Sequence, residues 1–170
     1  MPLIAIILIL LGFFGFATTA EPVVVDGPDC GGVTTEGEAS DGCSSPDAVA
    51  VWEVVQVGDV EGVIVSEVNG PMFRMFFTDI DSYWTPTVDD VAAAENAIAA
   101  EQGELEHMRQ YVGFLENGEQ KIYINGFCDA FHMNWQTEPV FVDDGGECYF
   151  NAVYNTETDE LESFNFNGEA

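Results

Sequence analysis

The chain has 170 residues, enough for one domain with a proper core and too few for two. It carries 31 acidic residues against three basic ones, Arg74, Arg109 and Lys121, for a net charge of −28. Such a surface repels nucleic acid, because phosphate binding needs clustered Lys and Arg, and it repels anionic membrane surfaces.

The acids are spread along the chain rather than blocked. That pattern reads as a solvated surface suited to a salty medium, where a Debye length of about 3 Å at about 1 M salt screens self-repulsion. A halophilic or marine bacterium or archaeon fits it. The functional alternative is a field that steers cations or a basic partner toward the protein.

Residues 1–20, MPLIAIILILLGFFGFATTA, hold no charged side chain and end in small residues, with Thr18 and Ala20 at the −3 and −1 positions of a cleavage site. They read as a signal peptide cleaved after Ala20. The absence of Lys or Arg near Met1 departs from the usual pattern, and an uncleaved membrane anchor is the alternative, although the run is short for a bilayer. The expected location is secreted or periplasmic, or at the cell surface if the segment is retained.

Residues 21–48 are rich in Gly, Ser, Pro and acids and lack aromatics, a composition that cannot bury much apolar surface. They read as an acidic linker. Four cysteines in an exported chain imply two disulfides with three formal connectivities. Sequence proximity favours Cys30 with Cys43, closing a small loop in the linker, and Cys128 with Cys148.

Residues 49–170 read as a single α+β domain. AVAVWEVVQV and GVIVSEV are Val-rich runs separated by Gly58-Asp59 and Gly62, and Asn69-Gly70-Pro71 breaks the pattern before MFRMFFT; two or three strands are expected. SYWTPTVDDVAAAENAIAAEQ is the strong helix signal. Pro86 suits a first turn, Thr85 or Thr87 can cap it, and Asp89 and Asp90 complement the dipole. Val88, Val91, Ala94 and Ile98 make its apolar stripe, and Gly103 ends it.

Asn117-Gly118 then joins two alternating strands, since both turn residues must take positive φ. VFVDD and ECYFNAVYN are expected to pair around Gly145-Gly146, and a polar turn, TETDE, leads into ESFNFNG. One main helix followed by four antiparallel strands gives a helix packed on a curved antiparallel sheet, the order of the cystatin-like and NTF2-like architectures. That is a likeness of layout and implies no activity.

WTPT, RQYVGF, YINGFC, W-x-x-EPV, DGGECYF and the closing NGEA together resemble a group of exported bacterial proteins of uncharacterised function. The resemblance covers residues 83–170 and not the Val-rich part. It implies one exported bacterial domain with turn glycines, a Cys pair and core aromatics, and it brings no catalytic residues.

Cys128, His132 and Cys148, with a distant His107, form only half of a structural zinc pattern, and a disulfide competes for the same sulfurs. A thiol nucleophile is disfavoured by Glu147 beside Cys148, which raises the thiol pKa. No metalloprotease, serine-hydrolase or phosphate-cradling motif is present in the sequence. No cofactor is implied. Asp143, Asp144 and Glu147 offer a weak calcium loop whose plainer reading is a hairpin turn. Trp84, Tyr111, Tyr123, Trp135 and Tyr149 could line a ligand groove on the sheet, although such residues more often form core. The sequence therefore reads as an exported, disulfide-stabilised, non-enzymatic binding module for an unknown protein or small ligand. A small carboxylate-dependent hydrolase in an NTF2-like cavity and a calcium-stabilised surface protein are the alternatives.

Overall fold

In a computed structural model the structure describes residues 52–168. The expectations for the signal peptide, for the acidic linker and for the Cys30–Cys43 loop lie outside these residues.

The chain runs β1 (Glu53–Val57), β2 (Val60–Val65), a 3-10 helix (Gly70–Phe76), β3 (Ser82–Trp84), α1 (Val88–Gln102), β4 (Met108–Glu116), β5 (Glu119–Phe127), a short 3-10 turn (Gly146–Cys148), β6 (Tyr149–Asn155) and β7 (Glu160–Phe166). This is the expected α+β class, with one main helix. The seven strands form one sheet in the order β1-β2-β4-β5-β6-β7, with β3 paired to β4.

The sheet is mixed rather than antiparallel throughout, because β2 runs parallel to β4, with Ile64 opposite Tyr111. The cause lies in the connection. Between β2 and β4 the chain passes through the 3-10 helix, β3 and α1, a crossover long enough to bring it back to the same end of the sheet. β4 consequently shares one edge between two partners, β2 along Arg109 to Val112 and β3 along Gly113 to Leu115.

Local signals account for the well-formed elements. Thr87 caps α1: its hydroxyl accepts from the Asp90 N–H while the Asp90 carboxylate accepts from the Thr87 N–H, a reciprocal box that satisfies two end groups. Pro86 lies outside the helix, just before the cap. Asn117 and Gly118 take φ of 54° and 83°, the left-handed pair that a two-residue hairpin requires, and Asp81 accepts from the Gly118 N–H. MFRMFFT is not a strand; Gly70 to Phe76 wind into the 3-10 helix, led by Pro71 in its first turn. Gly70 there lies against the Tyr83 ring, where an added Cβ would come within 2.3 Å of it.

VFVDD is likewise not a strand, and Glu160–Phe166 supplies the fourth strand after the helix instead. The reason is visible in its hydrogen bonds. The Val140 N–H donates to Gln110 Oε1 at 3.0 Å, the Val140 carbonyl accepts from Asn125 Nδ2 at 2.8 Å, and the Val142 carbonyl accepts from Asn167. Side chains from the sheet take the place of a ladder partner, which satisfies the same backbone groups without extending the sheet.

The sheet buries both faces. On one, α1 packs Val91, Ala94 and Ile98 against Ile64, Tyr111, Ile122, Ile124, Phe150 and Ala152. On the other, Trp52, Val63, Phe73, Val112, Phe114 and Tyr123 form a second core beneath the 3-10 helix. A third cluster, built from Phe127, Ala130, Val140 and Tyr149, sits at the end where Cys128 and Cys148 form a disulfide. Closing that loop stabilises the fold by about 3 kcal/mol in the chain-entropy picture.

Gln110 is the fastener of the long loop. Fully buried, it donates to the Trp135 and Glu138 carbonyls at 2.7 and 2.8 Å and accepts from Asn125 Nδ2 and the Val140 N–H. All its polar capacity is used. Gln110→Leu therefore strands several buried partners and is expected to cost about 3 kcal/mol or more in urea melts. Met75→Ala, at a side chain 71% exposed, is expected to stay within about 0.5 kcal/mol of the parent.

Candidate functional site

A cleft of about 1050 Å³ opens between the Gly58-Asp59 turn, the C-terminal half of α1 and the segment from Gly103 to Arg109. Its position follows from the sheet. The β1–β2 hairpin projects past the start of β4, and α1 crosses above, so the chain must descend from Gly103 into β4 beside a space neither element fills.

A buried polar cluster forms the floor. Glu95 leaves α1 on its inner face, 7% exposed, and Arg109 enters from β4 at 1%. Arg109 Nε donates to Glu95 Oε1 at 3.2 Å, and the Tyr111 hydroxyl donates to the same oxygen at 3.0 Å. Arg109 also donates to the His107 and Leu105 carbonyls at 2.7 and 3.2 Å, and its guanidinium carbon stands 4.6 Å from the centre of the Phe150 ring. The charge is thus surrounded by acceptors and a ring face, as a buried guanidinium must be. Glu95 Oε2 carries no hydrogen bond among the described residues, although Glu95 lines the cleft. Burial, followed by the Glu95 charge, pushes the Tyr111 hydroxyl well above its ordinary range, so it stays a neutral donor.

His107 stands beside the floor. Its Nε2 lies 2.9 Å from the Glu147 carbonyl, which places the proton on Nε2. Nδ1 is buried with no partner among the described residues, and the ring meets Phe150 edge-on. Burial, and secondarily the Arg109 charge, holds its pKa below the ordinary value, against the raising effect of the Glu147 carbonyl. Asp59, Glu61, Glu104 and Glu106 line the mouth, all exposed, and none forms an ion pair among the described residues.

The residues singled out from sequence are dispersed. Trp84 and Tyr111 lie on the helix side of the sheet, where the Trp84 indole donates to the Phe114 and Lys121 carbonyls. Tyr123 lies on the opposite face, stacked on Phe76 at 5.0 Å between ring centres, and its hydroxyl has no partner among the described residues. Trp135 meets Phe127 edge-on, and the Tyr149 hydroxyl donates to the Asp129 carbonyl. Of these five, Tyr111 alone reaches the cleft floor. Cys128 and Cys148 are joined, which removes both from the zinc and thiol readings; His132 is exposed. Asp143, Asp144 and Glu147 are exposed around the Gly145-Gly146 turn, and among the described residues no three His, Cys, Asp or Glu side chains converge as a metal site requires.

Glu95 and Arg109 were missed by pattern reading. A signal existed: Glu95 follows Val91 by four positions and precedes Ile98 by three, which places a carboxylate on the apolar stripe of α1. Among the described residues no helix is long and apolar enough to cross a membrane.

Arg109→Met should cost about 3–5 kcal/mol in denaturant melts, because it leaves the buried Glu95 carboxylate unpaired, and adding Glu95→Met should recover part of that loss. The pH dependence of His107 has a definite sign. Its folded pKa lies below the ordinary value near about 6.5, so its contribution is full above that pH and falls as acid carries the solution down to the lowered value. His107→Phe should flatten that part of the stability profile. Comparison with protein-family models, with curated proteins and with solved structures finds no match to this chain, so the reading of the cleft rests on its own geometry.

Proposed function

We propose that the protein is an exported, non-enzymatic binding module that takes a small ligand in the cleft between α1, the Gly58-Asp59 turn and the Gly103-to-Arg109 segment. The observation that carries this reading is the floor: one buried carboxylate, held by Arg109 and Tyr111 through a single oxygen, at the base of an open space. Fixed polar groups at the bottom of a concave site are what orientation-specific binding uses.

The hydrolase alternative asks for two carboxylates facing each other across a substrate. Here the other four cleft carboxylates stand exposed at the mouth, an arrangement that favours binding over bond cleavage. Export is supported by the Cys128–Cys148 disulfide, which persists in oxidising compartments. Relatedness to the exported bacterial proteins that residues 83–170 resemble belongs to the same proposal. The order of α1 before an antiparallel β4-β5-β6-β7 meander supports a cystatin-like or NTF2-like layout, from which the parallel β2 departs.

The test is a thermal-shift and ligand-observed NMR screen of the purified protein, repeated on Asn96→Trp. Asn96 is exposed on α1 and lines the cleft, so the new indole obstructs part of it from a position outside the core. A ligand that stabilises the parent and not the variant supports the proposal. Stabilisation that is identical in both moves the site elsewhere, and turnover of chromogenic glycosides or esters that is lost in Glu95→Gln establishes the hydrolase instead. Melting that rises in calcium over sodium at matched ionic strength, with no cleft ligand, favours the calcium-stabilised surface protein.

A further inference from the structure

We infer that Lys121 and Asn155 react with each other to form an intramolecular isopeptide bond, with Glu162 carrying the protons, so that β5 and β6 become covalently joined. This is a self-modification site, separate from the cleft and independent of what the cleft binds.

Register brings the two reacting groups together. Lys121 on β5 and Asn155 on β6 lie directly opposite in an antiparallel pair, a placement that sets their Cβ atoms about 5 Å apart on one face of the sheet. Both residues are buried, at 6% and 2% exposure. Glu162 of β7 spans them. Its Oε2 accepts from Lys121 Nζ at 2.8 Å, and its Oε1 accepts from Asn155 Nδ2 at 2.8 Å. One carboxylate thus touches both the nitrogen that attacks and the nitrogen that leaves. Asn155 Oδ1 is held as well, accepting from the Glu157 and Thr158 N–H groups at 2.9 and 3.3 Å. Those donors shape the β6–β7 turn, and they also stand where negative charge develops when the amide carbon is attacked.

Charge pairing alone does not call for this arrangement. Glu116 and Glu119 already stand 2.9 and 3.6 Å from Nζ, so neutralising Lys121 needs no asparagine. The additional feature is a buried amide directly opposite, its nitrogen donating to the carboxylate that holds the lysine and, at 3.2 Å, to Glu119.

The reaction balances without an outside reagent. Nζ gives one proton to Glu162, and its freed lone pair attacks Asn155 Cγ, moving the carbonyl π electrons onto Oδ1. Glu162 passes that proton to Nδ2. As the carbonyl re-forms, the Cγ–Nδ2 bond breaks and ammonia leaves with the bonding pair. The second proton shed by Nζ goes to Glu162 and departs with the ammonia as ammonium. Fixed geometry supplies the effective concentration that attack on an amide requires. The surrounding carboxylates, the Glu162 hydrogen bond foremost, favour the ammonium form of Lys121. Attack therefore proceeds from the minor fraction whose proton sits on Glu162, and the bond forms slowly after folding.

The experiment is peptide mapping by mass spectrometry of the purified full chain, sampled before and after prolonged incubation of the folded protein. Samples are reduced, alkylated and cut with a glutamate-specific protease. The expected result is a branched peptide joining the Lys121 segment to the Asn155 segment, lighter than their sum by one ammonia and increasing with incubation. Lys121→Arg, which keeps the charge, and Glu162→Gln, which keeps the shape but not the proton carrier, should both give linear peptides only. The parent alone decides whether the bond exists, so a variant that fails to fold leaves the test intact.

Linear peptides of full mass from the incubated parent would overturn the inference. So would loss of ammonia without a branch, which marks imide formation at an Asn-Gly pair such as Asn117-Gly118. A branch that forms equally fast in Glu162→Gln would overturn the role of Glu162 as proton carrier.

Discussion

Two consecutive polar residues on the central strand hold the layers together. Arg109 and Gln110 are both fully buried, and because side chains alternate along a strand they leave β4 on opposite faces. Arg109 ties α1 and the descending segment through Glu95 and the Leu105 and His107 carbonyls. Gln110 ties the long disulfide-closed loop through the Trp135, Glu138 and Val140 backbone. Two of the three Arg109 hydrogen bonds and three of the four at Gln110 go to irregular chain, which is the part of the fold that has no ladder of its own.

This division explains what could be read from sequence. The Asn117-Gly118 hairpin, the Thr87 cap and the Gly103 end of α1 are local devices, each decided by a few neighbouring residues. The parallel pairing of β2 with β4 and the loop state of residues 140–144 are decided by partners far away in the chain. Val140 and Val142 have strand-like propensity, and it is overridden because Gln110, Asn125 and Asn167 reach their backbone groups first. The 3-10 helix at Gly70–Phe76 is a similar case, shaped by the close approach of the Tyr83 ring.

The candidate site was less legible than the fold for a related reason. Aromatic residues draw attention as ligand contacts, yet here they mostly fill three separate clusters. The cleft is instead made by a carboxylate hidden in an alanine-rich helix and by an arginine at the start of a strand. In a chain with so few cations, each buried one must find carboxylate company. Lys121 shows the same logic on another surface, within 2.8 to 3.6 Å of Glu116, Glu119 and Glu162. These attachments raise its pKa, with the Glu162 hydrogen bond the largest influence. Scarcity of positive charge is thus itself a guide to where the interior polar contacts lie.

The sheet does not close on itself. β1 and β7 stand at its two ends, and among the described residues neither has a partner on its outer side. Such margins are templates on which another molecule's strand can hydrogen-bond. Exposed glutamates occupy both of them, Glu53 on β1 and Glu160 on β7, and two like-charged margins repel when brought side by side. The acidity that reads as a solvated surface at the level of composition thus also places like charge on both open edges, an arrangement by which edge strands resist pairing with one another.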